Sequence, residues 1–236
     1  MLHSVSELES YQVTASDGSM GTIQDVYFDD HAWVVRYLIV DTGAWLPGRK
    51  VLLSPLSMGR IDAVRHNLPV SLDRDAIKNG PGIDAPYLEA QAEDARVEAP
   101  APRQREHDDD PHLRSCHEVA EYHVHGSDGE LGRVEGFLVD ERGWIIRYLI
   151  VNTGHWWLGH QVLIAPEWIG EVSWPNQTVT TGLSRQQIRL SPPYHPGVPL
   201  ERDLEAGLYA HYGETGYWAS AAARCTRTIE PTWRSE

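Results

Sequence analysis

The clearest pattern along the chain is a mostly apolar run that occurs twice, at residues 33–40 and 144–151. Both runs are rich in β-branched and aromatic residues, which favours a β-strand. Alternate side chains of a strand point to opposite faces, and here both faces are largely apolar. This pattern predicts a strand inside a closed or two-layered sheet, because a strand in a solvated sheet keeps one polar face.

Shorter strand and turn signals surround each run in the same order. A strand is predicted before it, at residues 22–28 and 133–139, after an Asp-Gly turn. Another follows at residues 51–53 and 162–164 and is ended by a proline. A last hairpin is predicted at residues 61–66 with 70–72, and at 171–174 with 178–181. So many short strands in about 70 residues predict a small barrel or sandwich.

Each set of strands ends in a predicted helical turn. Asp73 is the expected N-cap of a turn over residues 76–78, and Ser184 is the expected N-cap over residues 187–189.

The two sets are related by a constant offset of 111 positions. The match needs no gap and extends over residues 2–78 and 113–189. Identical pairs include Gly21/Gly132, Trp33/Trp144, Arg36/Arg147, Tyr37/Tyr148 and Pro55/Pro166. The repeat predicts a duplicated domain rather than a solenoid, because there are two copies and each is long enough for its own core.

The predicted domain order is a first barrel at residues 1–78, a flexible acidic linker at 79–112, a second barrel at 113–190 and a tail at 191–236. The linker is rich in proline, alanine and charge, with few large apolar groups. In the tail, Leu200, Leu204 and Leu208 recur at every fourth position, which predicts an amphipathic helix through about Tyr212. We expect this helix to pack on a barrel, with Tyr217-Trp218 adding to the contact.

Charge and composition exclude several function classes. The net charge of −14 opposes binding to a phosphate backbone, so no nucleic-acid partner is expected. The longest apolar runs are interrupted by arginine and fall short of the ~20 residues that span a bilayer. The first residues show no secretory signal, and two cysteines imply no disulfide framework. A cytoplasmic protein without a transmembrane segment is therefore expected.

The ordered marks of each copy resemble the PRC-barrel family. In the first copy they are Asp17-Gly18, Gly21, Asp29, and the segments 36–40 and 51–55. They recur as Asp128-Gly129, Gly132, Asp140, and the segments 147–151 and 162–166. The resemblance implies an all-β fold made of two small PRC-type barrels in tandem, with a short C-terminal helical tail.

The resemblance also implies a type of role. Members of this family include the cytoplasmic domain of the H subunit of purple-bacterial photosynthetic reaction centres, a domain of a ribosome-maturation factor and many bacterial proteins. They share a protein-binding barrel and no catalytic residues. We therefore expect a non-enzymatic interaction (adaptor or assembly) module with an unidentified protein partner, whose two barrels pair within the chain.

Two alternatives stay open at this point. One is an H-subunit-like role in light-driven electron transfer or complex assembly, although no membrane helix like that of the H subunit is seen in this sequence. The other is a protein that binds a small ligand. The ribosome-maturation factor pairs its barrel with an RNA-binding domain that has no counterpart here.

The candidate partner-binding residues are Trp45, Trp156, Trp157, Leu204 and Leu208. The three tryptophans lie between a strand-ending Thr-Gly and a glycine. They either anchor a partner, as interface aromatics do, or plug the end of a barrel. No catalytic, cofactor-binding or metal-binding residue is predicted, and no cofactor.

Two groups of polar residues have a structural and a functional interpretation. Arg36 and Arg147 interrupt apolar strands, and we expect each to pair with a carboxylate, Asp29, Asp140 or Asp41, rather than to bind an anion. A histidine-rich region invites a metal site, but its spacing is irregular and matches no metal motif. Its members are His107, His112, His117, His123 and His125.

Overall fold

The computed structural model describes residues 1–79, 112–154 and 160–219. We refer to residues 1–79 as the first half, to residues 112–190 as the second half and to residues 191–219 as the tail. The predicted linker, apart from its two end residues, lies outside the described residues, as do Trp156 and Trp157.

The first half contains six strands and two short helices. They are β1 Leu2–Ser4, α1 Val5–Glu9, β2 Gln12–Ala15, β3 Gly18–Asp29, β4 Val34–Asp41, β5 Lys50–Leu53, β6 Asn67–Pro69 and α2 Arg74–Asn79. The predicted helical turn is present, and the carboxylate of Asp73 accepts a hydrogen bond from the amide of Ala76.

The second half repeats this order. Its elements are β7 Leu113–Ser115, α3 Cys116–Val119, β8 His123–Gly126, β9 Gly129–Asp140, β10 Ile145–Asn152, β11 Gln161–Ile164, β12 Ile169–Ser173, β13 Thr178–Thr181 and α4 Arg185–Leu190. Ser184 caps α4 as predicted, in a reciprocal capping box with Gln187. The tail holds one long helix, α5 Arg202–Tyr212.

All thirteen of these strands join one sheet, and nine of them follow one another in the order β12-β13-β8-β9-β10-β4-β3-β2-β6. Off this path, β1 pairs with β9, β5 with β4, β7 with β3 and β11 with β10. The long strand of each half, β3 or β9, pairs antiparallel with its neighbours on both sides. Its pairing shifts register at several bulges, for example between Ile23 and Asp25, and bulges bend a strand. The all-β class with a short helical tail is confirmed.

The closing hairpin differs between the halves. The second half has the predicted antiparallel pair, β12 with β13. The first half keeps only the short strand β6 and two isolated bridges, so the hairpin predicted at residues 61–66 and 70–72 is largely wrong. The side chain of Asp62 accepts hydrogen bonds from the amides of Val64 and Arg65, which holds this segment in a turn instead of a strand.

The first strand of each half pairs with the other half. Strand β1 lies antiparallel to β9, with Leu2 opposite Asp140, and β7 lies antiparallel to β3, with Ser115 opposite Tyr27. Between β4 and β10 the amide of Val35 donates to the carbonyl of Trp144 at 2.7 Å. The sequence analysis did not foresee this exchange of strands.

The core is continuous between the halves. Phe28 and Phe137 are almost fully buried, and their ring centroids lie 5.5 Å apart. Both belong to one cluster of buried apolar side chains that includes residues of β3, β4, β9 and β10.

Candidate interaction site

The tryptophan loop of the first half is engaged with its own barrel. The indole nitrogen of Trp45 donates a hydrogen bond to the carbonyl of Met20, and the guanidinium of Arg74 lies over its ring at 5.3 Å. The side chain is half-buried. These contacts agree with a tryptophan that closes the barrel end, and a role for Trp45 in binding a partner stays a prediction.

Both arginines pair with the expected aspartates. Arg36 donates to Asp29 at 2.8 Å, and Arg147 lies 3.6 Å from Asp140, so the prediction of structural ion pairs is confirmed. Partial burial of the Asp29 carboxyl raises its pKa, but the hydrogen bonds from Arg36 and from the amides of Ala32 and His31 outweigh it. The pKa of Asp29 is therefore lowered.

Three of the histidines contact separate carboxylates. His112 lies 3.0 Å from Asp30, His117 lies 2.8 Å from Glu9, and His123 lies 2.7 Å from Glu130. In the part of the chain that the structure describes, no group of three or more histidine, cysteine, aspartate or glutamate side chains could hold a metal ion. His107 lies outside that part.

The cysteine in the described residues is Cys116, which is buried and unpaired with another cysteine. Burial raises the pKa of its thiol well above the usual range, and the charges of Asp25 and Glu9 add to this effect. The thiol is therefore held protonated, which makes it a poor nucleophile.

The tail helix α5 packs on the second half through a buried carboxylate. Glu205 is 3% exposed, and its Oε1 accepts hydrogen bonds from the hydroxyls of Tyr148 at 2.8 Å and Tyr217 at 2.9 Å. Arg202 lies 2.9 Å from the other oxygen of the carboxylate. Burial, together with the charge of Glu205, raises the pKa of Tyr148, so this hydroxyl stays a hydrogen-bond donor.

Aromatic rings complete this contact. Tyr209 and Tyr212 pack against Trp168, with centroid distances of 5.1 and 4.6 Å. Trp218 packs against Tyr209 at 5.1 Å, so the predicted addition from Tyr217-Trp218 is present. We call the surface that α5 contacts the helix face of the second half, defined by Tyr148, Glu167 and Trp168.

The side of α5 that faces the barrel differs from the side that the spacing of its leucines predicts. Helix α5 ends at Tyr212, as predicted, and Gly213 caps it with a left-handed φ of 73°. However, Leu204 is 54% exposed, whereas Leu208 is 3% exposed and packs inside the chain. Leu200 precedes the helix and is partly buried. In this conformation Leu204 is available to a partner and Leu208 is not.

The equivalent residues of the first half are more exposed. At the offset of 111 positions, Tyr148, Ala165 and Glu167 correspond to Tyr37, Ser54 and Leu56. Tyr148 and Ala165 are fully buried, Tyr37 and Ser54 are partly exposed, and Leu56 is 89% exposed. These residues line a groove of about 890 Å³, the first groove, between the halves.

The second half forms a corresponding groove with a different charge. This second groove, of about 740 Å³, includes Glu167 and Glu171. The first groove has Leu56 and Arg60 at the equivalent positions, and Arg142 of the second half also lines it. The second groove includes Arg114 and Arg147 as well as Asp30 and the two glutamates. The two linings are therefore equivalent in position and differ in their balance of charges.

None of the helices within residues 1–79, 112–154 and 160–219 is both long enough and apolar enough to cross a lipid bilayer.

Comparison with known proteins identifies a family for part of the chain. A search of curated proteins finds no match to the chain. The model of the PRC-barrel domain family matches residues 2–77, a span that covers the first half from β1 into α2. The chain therefore contains a PRC-barrel domain at residues 2–77.

Proposed function

We propose that this protein is a non-catalytic interaction module, built from two PRC-type barrels, that holds partner proteins together. The observation that carries the proposal is the docked tail. A barrel face of this chain binds an amphipathic helix through a buried carboxylate and a layer of aromatic rings. The first half keeps the equivalent tyrosine, Tyr37, but has Leu56 and Ser57 where the second half has Glu167 and Trp168.

The equivalence of the halves supports a second PRC-type barrel. The strands, the helical turns and the seam contacts recur in the same order at the same offset. Gly21 and Gly132 have φ values of 153° and 143°. Each lies against the carbonyl of the last residue of the central strand of its half, Asp41 of β4 or Asn152 of β10. The two halves thus share the same glycine conformation and the same close backbone contact.

The exchanged strands support a paired arrangement that imitates a homodimer within one chain. If a protease site is inserted between residues 90 and 100 and cleaved, we expect the two fragments to stay associated, because β1 and β7 each complete the sheet of the other fragment. Native size-exclusion chromatography before and after cleavage checks this.

A cleavage site placed after residue 219 is the matched control. Fragments that separate in native buffer would contradict the paired arrangement, whereas separation in denaturant alone would agree with it.

The protonation of the buried groups supports a non-catalytic role. A catalytic acid or base needs a pKa near the working pH. Among the described residues, the large pKa shifts belong to Cys116 and to Tyr11, Tyr148, Tyr209 and Tyr212. Burial raises each of these pKa values away from neutrality, that of Tyr212 to about 12. These hydroxyls belong to packing contacts.

Affinity capture tests the interaction role. We expect the intact protein, used as bait in lysate of its source cells, to enrich a protein in an amount comparable to itself. An unrelated barrel protein of similar charge is the control bait, since a net charge of −14 attracts basic proteins unspecifically. Mass spectrometry identifies the enriched protein. If nothing is enriched and small-molecule extracts instead raise the melting temperature, the protein binds a ligand and the proposal fails.

A further inference from the structure

The contact between the two halves, which we call the seam, has the symmetry of a homodimer interface. It is formed where β1 pairs with β9, where β7 pairs with β3 and where β4 meets β10. Leu2 lies opposite Asp140 in the first of these pairs, and Leu113 lies opposite Asp29 in the second. Both residues of the second pair are 111 positions from their equivalents in the first, so the two registers are identical.

The hydrogen bonds between β4 and β10 follow the same rule. The amide of Val35 donates to the carbonyl of Trp144 at 2.7 Å, and the amide of Ile146 donates to the carbonyl of Trp33 at 2.8 Å. These two bonds exchange places when the halves are exchanged. An interface of this type is isologous, because each side presents the same backbone to the other.

The side chains of the seam give it a direction that the backbone does not have. At three contacts the first half supplies a carboxylate and the second half supplies the donor. They join Asp30 with Arg114 at 2.5 Å, Asp25 with Ser115 at 2.6 Å and Glu9 with His117 at 2.8 Å. Complementary charges at an interface select between partners of similar shape.

These contacts favour a second half over another first half as the partner of a first half. The residues equivalent to Arg114 and His117 in the first half are His3 and Ser6. A pair of first halves would therefore place a histidine where the arginine stands, and a neutral hydroxyl where the histidine stands. Only the arginine is charged at every physiological pH. One contact runs the other way, from His3 to Glu141 at 3.2 Å, and it too joins unlike halves.

The seam contacts are the same whether the two halves belong to one chain or to two. Residues 80–111 join the halves along the chain, and the contacts described above lie outside them. A dimer in which each first half pairs with the second half of the other chain would therefore keep two complete seams. Domain exchange of this kind costs little, and protein concentration decides between the two forms.

We propose that the seam also binds a second copy of this chain, so that two molecules exchange halves and form a closed dimer. The partner of each first half is then the second half of the other molecule, held by Asp25, Asp30 and Glu9 beside β3. The proposal concerns the seam alone and is independent of any interaction with another protein.

Refolding of the full-length protein at two concentrations tests the exchange. A mixture of unlabelled and nitrogen-15-labelled chain is unfolded in urea and refolded at about 5 µM or at about 0.5 mM. Covalent linkage gives the halves a local concentration of millimolar order, so monomer should dominate at the lower concentration. We expect a dimer fraction at least about tenfold larger at the higher concentration, as measured by size-exclusion chromatography and native mass spectrometry.

Cleavage between the halves distinguishes an exchanged dimer from two complete molecules that associate. The chain for this experiment carries a protease site between residues 90 and 100, and both chains of the dimer are cut. An exchanged dimer then separates into pairs whose first half and second half come from different chains. We expect native mass spectrometry to find pairs with one labelled half, in the proportion that random mixing gives. Monomer from the dilute sample, cut in the same way, should give pairs with a single label.

Charge reversal across the seam should drive the exchange. Asp30→Arg and Arg114→Asp each place like charges together within their own chain. Exchange between the two variant chains brings the reversed charges together in one seam and restores the native pair in the other. Refolded together at about 5 µM, the two variants should form at least about tenfold more dimer than either one alone. A chain that carries both substitutions should stay monomeric.

The pair of Asp29 and Arg36 supplies the matched control. Both residues belong to the first half, where they lie 2.8 Å apart, so exchange cannot bring Asp29→Arg together with Arg36→Asp. A mixture of these two variants should form no more dimer than each alone. Arg114 also lies 3.7 Å from the ring centroid of Trp174, so the dimer fraction is compared rather than the melting temperature.

Two results would overturn the proposal. The first is the presence of monomer alone after refolding at about 0.5 mM. The second is a dimer whose cleaved pairs each carry a single label, because such a dimer joins complete molecules through another surface. If a charge-reversed variant does not fold, the isotope experiment on the native seam decides alone. None of these results bears on the affinity capture, which tests the interaction role.

Discussion

Replacing Gly21 with alanine is expected to unfold the first half of the protein. The φ of Gly21 is 153°, which an L-residue rarely adopts, and a Cβ built there would lie 1.9 Å from the carbonyl oxygen of Asp41. That oxygen belongs to the backbone of β4, so no side chain can rotate away. Strain in φ costs about 1–3 kcal/mol, and displacement of a central strand adds to this cost.

Two other glycines serve as controls for this prediction. Gly43 has a left-handed φ of 58° but no neighbour within 4 Å of a built Cβ, so Gly43→Ala should cost about 1 kcal/mol. Gly207 lies within α5 with open space around it, and Gly207→Ala should stabilise by up to about 1 kcal/mol. Thermal and urea unfolding measure all three. A melting temperature for Gly21→Ala close to that of Gly43→Ala would refute the close approach.

The second large effect is expected at Glu205. Glu205→Ala leaves the hydroxyls of Tyr148 and Tyr217 without their buried acceptor, and it also removes the ion pair with Arg202. Hydrogen bonds to a charged group contribute about 1.5–3 kcal/mol, and a buried donor without a partner costs a similar amount. We expect a loss of about 3 kcal/mol from the free energy of unfolding and faster proteolysis of the tail.

Substitutions of graded severity distinguish the effect of losing the Glu205 carboxylate from the effect of disrupting the helix in general. Glu205→Gln keeps an oxygen that can accept both tyrosine hydroxyls, so about 1 kcal/mol should be lost. Asp203→Ala removes an exposed carboxylate of the same helix turn and should be nearly neutral. A double-mutant cycle with Tyr148→Phe should give a coupling energy above about 1 kcal/mol. Purely additive losses would mean that the hydrogen bond contributes nothing.

The sequence predicts the centre of each half well, because long apolar strands bounded by glycine and aspartate turns have strong local signals. The strands predicted at residues 33–40 and 144–151 are present as β4 and β10, each shifted by one residue. The partners of Arg36 and Arg147 were also predictable, because an arginine in an apolar strand needs a nearby carboxylate.

The exchange of β1 and β7 was not predictable from the sequence. A strand of three residues has no period of its own, and the two long strands it could join resemble each other closely. The choice between them depends on how the halves pack, which no local pattern records. Sequence reasoning therefore found two copies but missed that each completes the sheet of the other.

The orientation of the tail helix was missed for a different reason. The four-residue spacing of leucines favours the side with Leu204, but the helix buries the side with Glu205. A glutamate is not expected in a core unless polar partners await it, and those partners, Tyr148 and Tyr217, are distant in sequence.

The fusion of the two halves has a consequence for how the grooves could diverge. In a dimer of identical chains, every substitution appears at two symmetric places, so a groove cannot change its charge without changing that of its mate. One chain with two copies removes this constraint. Position 60 holds arginine, and its equivalent, position 171, holds glutamate. Position 56 holds leucine, and its equivalent, position 167, holds glutamate. One chain can thus carry different charges at two equivalent places.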